Sequence, residues 1–125
     1  MLSVGSVVIN VADVRRAVAF WSAALDYEPL REINDDFVIL VPAAGRSGQR
    51  ISINASDEAP PDVPHVHLDL YAGDAADQAA EVERLVALGA TRVDWPLYPD
   101  EPHDYVVLAD PDGNRFCVID TGTSG

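Results

Sequence analysis

Asp110-Pro111-Asp112-Gly113-Asn114-Arg115-Phe116-Cys117-Val118-Ile119-Asp120 is a tight turn that feeds an apolar strand. Proline suits the turn position that needs φ near −65°, and glycine suits the one where φ turns positive. Phe116 and Val118 then belong to a buried strand. A weaker copy stands earlier, where Gly48-Gln49-Arg50-Ile51-Ser52-Ile53 matches Gly113-Asn114-Arg115-Phe116-Cys117-Val118, positions 48 and 113 being 65 apart. An internal echo of this kind reads as two copies of one structural unit.

Working outward, each copy takes the same order. Ser6 to Val11 is a β-branched strand with Val7, Ile9 and Val11 on one face and Ser6, Val8 and Asn10 on the other. Asp13 caps a helix that runs to about Leu25, with Val14, Ala17, Val18, Trp21 and Leu25 on its apolar side. Tyr27–Ile33, Phe37–Val41 and Arg50–Ala55 are the remaining strands of a βαβββ unit. Ser56 to Pro64, with its prolines, reads as a linker. The order then restarts: strand His67–Ala72, N-cap Asp74, a helix lined by Ala79, Val82, Leu85 and Val86, and Gly89 as its C-terminal stop. Strands Thr91–Trp95, Tyr105–Ala109 and Arg115–Ile119 follow. The caps Asp13 and Asp74 are 61 apart, which places Ser6 on His67 and Asn10 on Tyr71. The difference between the two offsets assigns the extra residues to the loop Pro96–Asp104. The expected fold class is α+β, one domain over 1–125 built of modules 4–56 and 64–121 with linker 57–63. Val7, Ile9, Leu68 and Leu70 are expected to carry the packing against the helices.

Composition bounds the function. The 125 residues carry 21 acidic and 8 basic side chains, for a formal charge of −13. A phosphate backbone or an anionic membrane repels such a surface, so neither nucleic acid nor membrane is an expected partner. A small ligand, cationic or aromatic, is. One cysteine, Cys117, excludes an intrachain disulfide framework. Neither a leader-like segment nor an apolar run near 20 residues is visible, and a cytoplasmic location is the expectation.

The duplicated βαβββ order, Val11-Ala12-Asp13, Leu88-Gly89-Ala90 and Asp110–Asn114 together resemble the vicinal oxygen chelate superfamily. This is the glyoxalase, bleomycin-resistance and extradiol-dioxygenase group. The resemblance implies two curved mixed sheets forming a barrel-like cup around a pocket between the modules, and a homodimer. It also implies that metal ligands, where present, come from the first and last strands of each module. Carried over residue by residue, those positions are Ser6, Ser52, His67 and Cys117. The family pattern there is histidine or glutamine with glutamate, and only His67 fits. Neutral hydroxyls are poor ligands, and a thiol does not suit the hard ions that carboxylates hold.

The expected function is therefore binding of a small organic molecule without the family's catalytic metal and with no other cofactor. The alternative is a divergent metal-dependent lyase, isomerase or dioxygenase of the glyoxalase type, with a divalent ion held by His67 if by anything. A third reading is an interaction domain without a ligand. The expected ligand-binding residues are Ser6, Asn10, Ser52, His67, Asp69, Tyr71, Trp95, Tyr105 and Cys117, aromatic walls with a few fixed polar groups. Asp69 beside Tyr or Trp faces would suit a cation. His67 also has a plain reading as a hydrogen-bonded strand residue, and Cys117 as a small buried hydrophobe. His65 shares a strand face with His67, and His103 sits in the loop, but neither completes a ligand set in the sequence.

Overall fold

The structure, a computed structural model, describes residues 1–94 and 104–122. The chain divides into two units, Met1–Pro60 and Pro61–Gly125. The first unit runs β1 (Val7–Val11), α1 (Val14–Leu25), β2 (Tyr27–Pro29), β3 (Phe37–Pro42) and β4 (Ile51–Ala55). Its sheet has the order β1-β4-β3-β2, with β1 parallel to β4 and the other pairs antiparallel. The second unit runs β5 (Asp69–Ala72), α2 (Ala75–Leu88), β6 (Thr91–Arg92), β7 (Tyr105–Ala109) and β8 (Arg115–Asp120). Its order is β5-β8-β7-β6, again with one parallel pair, β5 with β8. In each unit the helix carries the chain from the first strand to the opposite edge of the sheet, and the antiparallel run of the next three strands brings the last one back parallel beside the first.

Local chemistry explains the helix ends. The Asp13 carboxylate accepts from the Arg16 N–H at 3.1 Å, and the Asp74 carboxylate from the Asp77 N–H at 2.8 Å. Asp77 reaches back to the Gly73 N–H at 2.7 Å, so α2 starts with a reciprocal cap. Asp26 closes α1 in the left-handed region, φ 57°, a conformation that Asp tolerates better than most residues.

The opening turn forms as its residues require. Asp110, 3% exposed, accepts from the Asp112 and Asn114 N–H groups at 3.0 and 2.8 Å, and Gly113 takes φ 92°. Its counterpart Gly48 is needed for a different reason. A Cβ there would lie 2.6 Å from the Tyr27 hydroxyl, which donates to the Gln49 carbonyl at 2.7 Å. Gly113→Ala is expected to cost about 1–2 kcal/mol through its φ. Gly48→Ala should cost about 0.5–1.5 kcal/mol by displacing one exposed hydrogen bond. Urea denaturation of the two variants reads the difference, and equal losses in excess of about 2 kcal/mol would contradict this division of roles.

Several boundaries differ from the sequence expectation. β2 stops at Pro29, although the Leu30 N–H still donates to the Ile39 carbonyl at 2.8 Å, and Asn34 then folds the chain, its side-chain oxygen accepting from Asp36 and Phe37 N–H groups. β5 starts at Asp69, not His67. The register puts His67 level with Arg115, where β8 has just left the turn and the ladder ends. β6 covers Thr91–Arg92 only, and Trp95 lies outside the described residues.

The expected core also needs correction. Val7, Ile9, Leu68 and Leu70 are half-buried, because β1 and β5 are edge strands of their sheets. The deepest packing belongs to the inner strands and helices. In the first unit it is Leu40, Ile53, Ala17 and Trp21; in the second it is Leu108, Phe116, Val82 and Leu85. On α2, Val82 and Leu85 are buried while Ala79 and Val86 are exposed. Gln78 stitches this helix to the sheet by donating to the Val118 carbonyl at 2.9 Å and to that of Asp104 at 3.0 Å.

Candidate functional site

Strand register sets which side chains share a face. In the first unit Val8 stands beside Ser52 and Asn10 beside Asn54. In the second, Asp69 stands beside Cys117 and Tyr71 beside Ile119. These pairs repeat the offsets of 61 and 65 found in the sequence, so the two units are in matching register.

On the first unit's face, one residue before β1, the Ser6 and Ser52 hydroxyls are 2.6 Å apart. Two pleats along, the Asn54 amide donates to the Asn10 side-chain oxygen at 3.0 Å. Ser52 is 1% exposed, whereas Val8 between the two pairs is exposed. β3 adds Ile39 beside Ser52 and Phe37 beside Asn54. The face thus carries a part-buried hydroxyl pair and a more accessible amide pair, edged by apolar side chains. Asn54 is a member that the sequence reading missed; its register with Asn10 is the signal that would have found it.

On the second unit's face, His67 Nε2 lies 3.1 Å from an Asp69 carboxylate oxygen. The Cys117 thiol donates to Asp69 from the neighbouring strand. One ligand atom from each of His67, Asp69 and Cys117 lies within 4.8 Å of the other two. Burial pushes the Cys117 thiol up to about 11, and the Asp69 charge and hydrogen bond add to the effect. It is therefore a protonated donor at neutral pH, not a nucleophile. Two residues further along the strands, Tyr71, Ile119 and Tyr105 stand side by side across β5, β8 and β7. Tyr71 is exposed and Tyr105 half-buried.

Of the sequence-derived residues, Ser6, Asn10 and Ser52 share one face in the first unit. His67, Asp69, Tyr71, Tyr105 and Cys117 share one face in the second. Trp95 and His103 lie outside the described residues, and His65 is exposed. The sequence reading left Asp69 out of any metal set, although it sits next to Cys117 and touches His67.

These features place the chain among known proteins. A model of the glyoxalase-like domain matches residues 6–119, and the chain belongs to that family. No curated protein matches the sequence. Solved structures share the fold. Protein ATC0852 from Agrobacterium tumefaciens is 17% identical with a TM-score of 0.73, covering 96% of this chain and 98% of its own. A glyoxalase/bleomycin resistance protein/dioxygenase family enzyme from Burkholderia phytofirmans is 20% identical with a TM-score of 0.71, covering 94% and 97%. A mutant of the fosfomycin resistance protein FosX from Listeria monocytogenes, complexed with manganese(II) and a dihydroxypropylphosphonic acid, is 16% identical. Its TM-score is 0.71, and the match covers 95% of this chain and 90% of that one.

Members of this family often use a divalent metal. The donor set here does not fit a hard one. At the first unit's positions two neutral hydroxyls bond to each other, and at the second unit's one position is a protonated thiol. Hard divalent ions select carboxylate and other oxygen donors that offset their charge.

Proposed function

We propose that this chain binds a small organic cation on its sheet faces and does so without a hard catalytic metal ion. The observation that supports the metal-free part is the Ser6–Ser52 hydroxyl pair, 2.6 Å apart, where the family's ligands would stand. The ligand's class is inferred from the second unit. Asp69 keeps its carboxylate about half exposed, and the row of Tyr71 and Tyr105 lies one pleat away. A carboxylate next to aromatic faces suits an ammonium group with an apolar body. The overall charge of −13 favours the approach of such a molecule.

A titration with benzyltrimethylammonium, followed by amide chemical shifts, tests this reading. Shifts are expected along Asp69–Tyr71 and Tyr105–Val107, and Asp69→Asn should weaken binding roughly tenfold, the order of one charge-assisted contact. Undisturbed resonances, or full affinity in Asp69→Asn, would overturn it. The partner state proposed is a homodimer, in line with the family's habit. Light scattering at micromolar concentration should give twice the 13.4 kDa chain mass, and a clean monomer would count against it.

A further inference from the structure

We propose that His67, Asp69 and Cys117 form a three-ligand site for a thiophilic divalent ion of the zinc class, held entirely by the second unit. The family arrangement described above takes ligands from both modules and has no member at the position of Asp69. The inference therefore goes beyond the resemblance; it shares the Asp69 carboxylate with the organic-cation reading, and the cobalt spectrum reports on the metal alone.

Three observations carry it. The first is identity: imidazole, carboxylate and thiol are the three donor types that tetrahedral zinc accepts. The second is proximity. Ligand atoms around a tetrahedral zinc stand roughly 3.3–3.8 Å apart, given bond lengths of about 2.0–2.3 Å. The three atoms here already lie within 4.8 Å of one another, and the His67–Asp69 pair within 3.1 Å. Small side-chain rotations close that gap. The third is support. Cys117 lies on the inner strand β8, its N–H donating to the Leu68 carbonyl at 2.9 Å, so the backbone between His67 and Asp69 is tied directly to the cysteine. Three protein ligands leave a fourth position for water or an exogenous donor, the pattern of an exchangeable or catalytic site rather than a closed structural one.

The binding step balances simply. The S–H bond of Cys117 breaks, a sulfur–metal bond forms, and one proton leaves to the buffer. No electron changes hands. The ion replaces the hydrogen bond by which Asp69 and the thiol satisfy each other, so both groups exchange one partner for another. Thiolate selects a soft or borderline ion over magnesium or calcium.

Cobalt(II) is the probe, because a thiolate ligand gives it a near-ultraviolet charge-transfer band and tetrahedral geometry gives it visible absorption. Titration of the full chain with cobalt(II) chloride under reducing conditions should develop both bands with a 1:1 endpoint. Zinc(II) should bleach them. Cys117→Ser should lose the charge-transfer band, and His67→Ala and Asp69→Asn should each weaken cobalt binding at least tenfold. His65→Ala, two residues away, should change nothing. If Cys117→Ser fails to fold, the variants at His67 and Asp69 decide the matter, since both groups are partly exposed. Absence of the bands in the wild type, their survival in Cys117→Ser, or equal losses in His65→Ala and His67→Ala would overturn the site. Organic-cation binding can fail while the cobalt bands appear, and the reverse.

Discussion

Phe116→Ala is expected to destabilise the protein by about 3–5 kcal/mol, the range for emptying a large aromatic site in a packed core. Phe116 is 1% exposed and stands beside Leu108, which is 0% exposed, on the inner strands of its sheet. Among the described residues of the same unit, Val82 and Leu85 of α2 and Cys117 and Val118 of β8 share its low exposure. Leu70→Ala should cost less, about 1–2 kcal/mol, because that side chain is half-buried on the edge strand β5 and loses only part of its transfer energy. His67→Ala should stay within about 1 kcal/mol, the ordinary range for a position outside the core. Urea denaturation midpoints at a common slope measure all three. A larger loss at Leu70 than at Phe116 would mean that the core does not centre on the inner strands.

The second large effect is alkaline. Cys117 is 1% exposed and its thiol is pushed from 9.0 up to about 11, first by burial and then by Asp69. Below pH 9 the thiol is protonated in both folded and unfolded chains, and it contributes no pH dependence. Between pH 9 and 11 the unfolded chain releases the proton while the folded chain keeps it, so unfolding gains. A raised folded value thus means stability that is fully present below the unfolded pKa and lost as pH rises through the folded one. The loss should total about 2–3 kcal/mol, at about 1.4 kcal/mol per pH unit. Comparison of wild type with Cys117→Ala isolates it, because Tyr27, also raised by burial, titrates in both proteins. The stability difference between the two should shrink as pH rises from 9 to 11. A constant difference would show that the thiol is not held in its protonated form.

Most of the architecture was legible in the residues themselves. The caps Asp13 and Asp74, the glycine turn at 113 and the offsets of 61 and 65 all reappear, because each rests on local backbone chemistry or on register. What was not legible depends on sheet order. A strand's hydrophobic alternation does not say whether it is an inner or an edge strand, so Leu68 and Leu70 read as core residues equal to Phe116 and Val118. The cluster at Cys117 was legible in part: His67, Asp69 and Cys117 were all expected to line one ligand site, but the hydrogen bond from the thiol to Asp69 needs the parallel pairing of β5 with β8. Gly48 and Gly113 looked equivalent as letters, yet one yields to a tyrosine hydroxyl and the other to a positive φ.

The central claim is that the hydroxyl pair at Ser6 and Ser52 has replaced a hard-metal site. Manganese(II) titration followed by water-proton relaxation tests it most directly. The expected result is no saturable enhancement up to about 1 mM, the weak end of oxygen-ligand sites for hard divalent ions. One manganese ion bound per chain at micromolar concentration, and lost on Ser52→Ala, would contradict it.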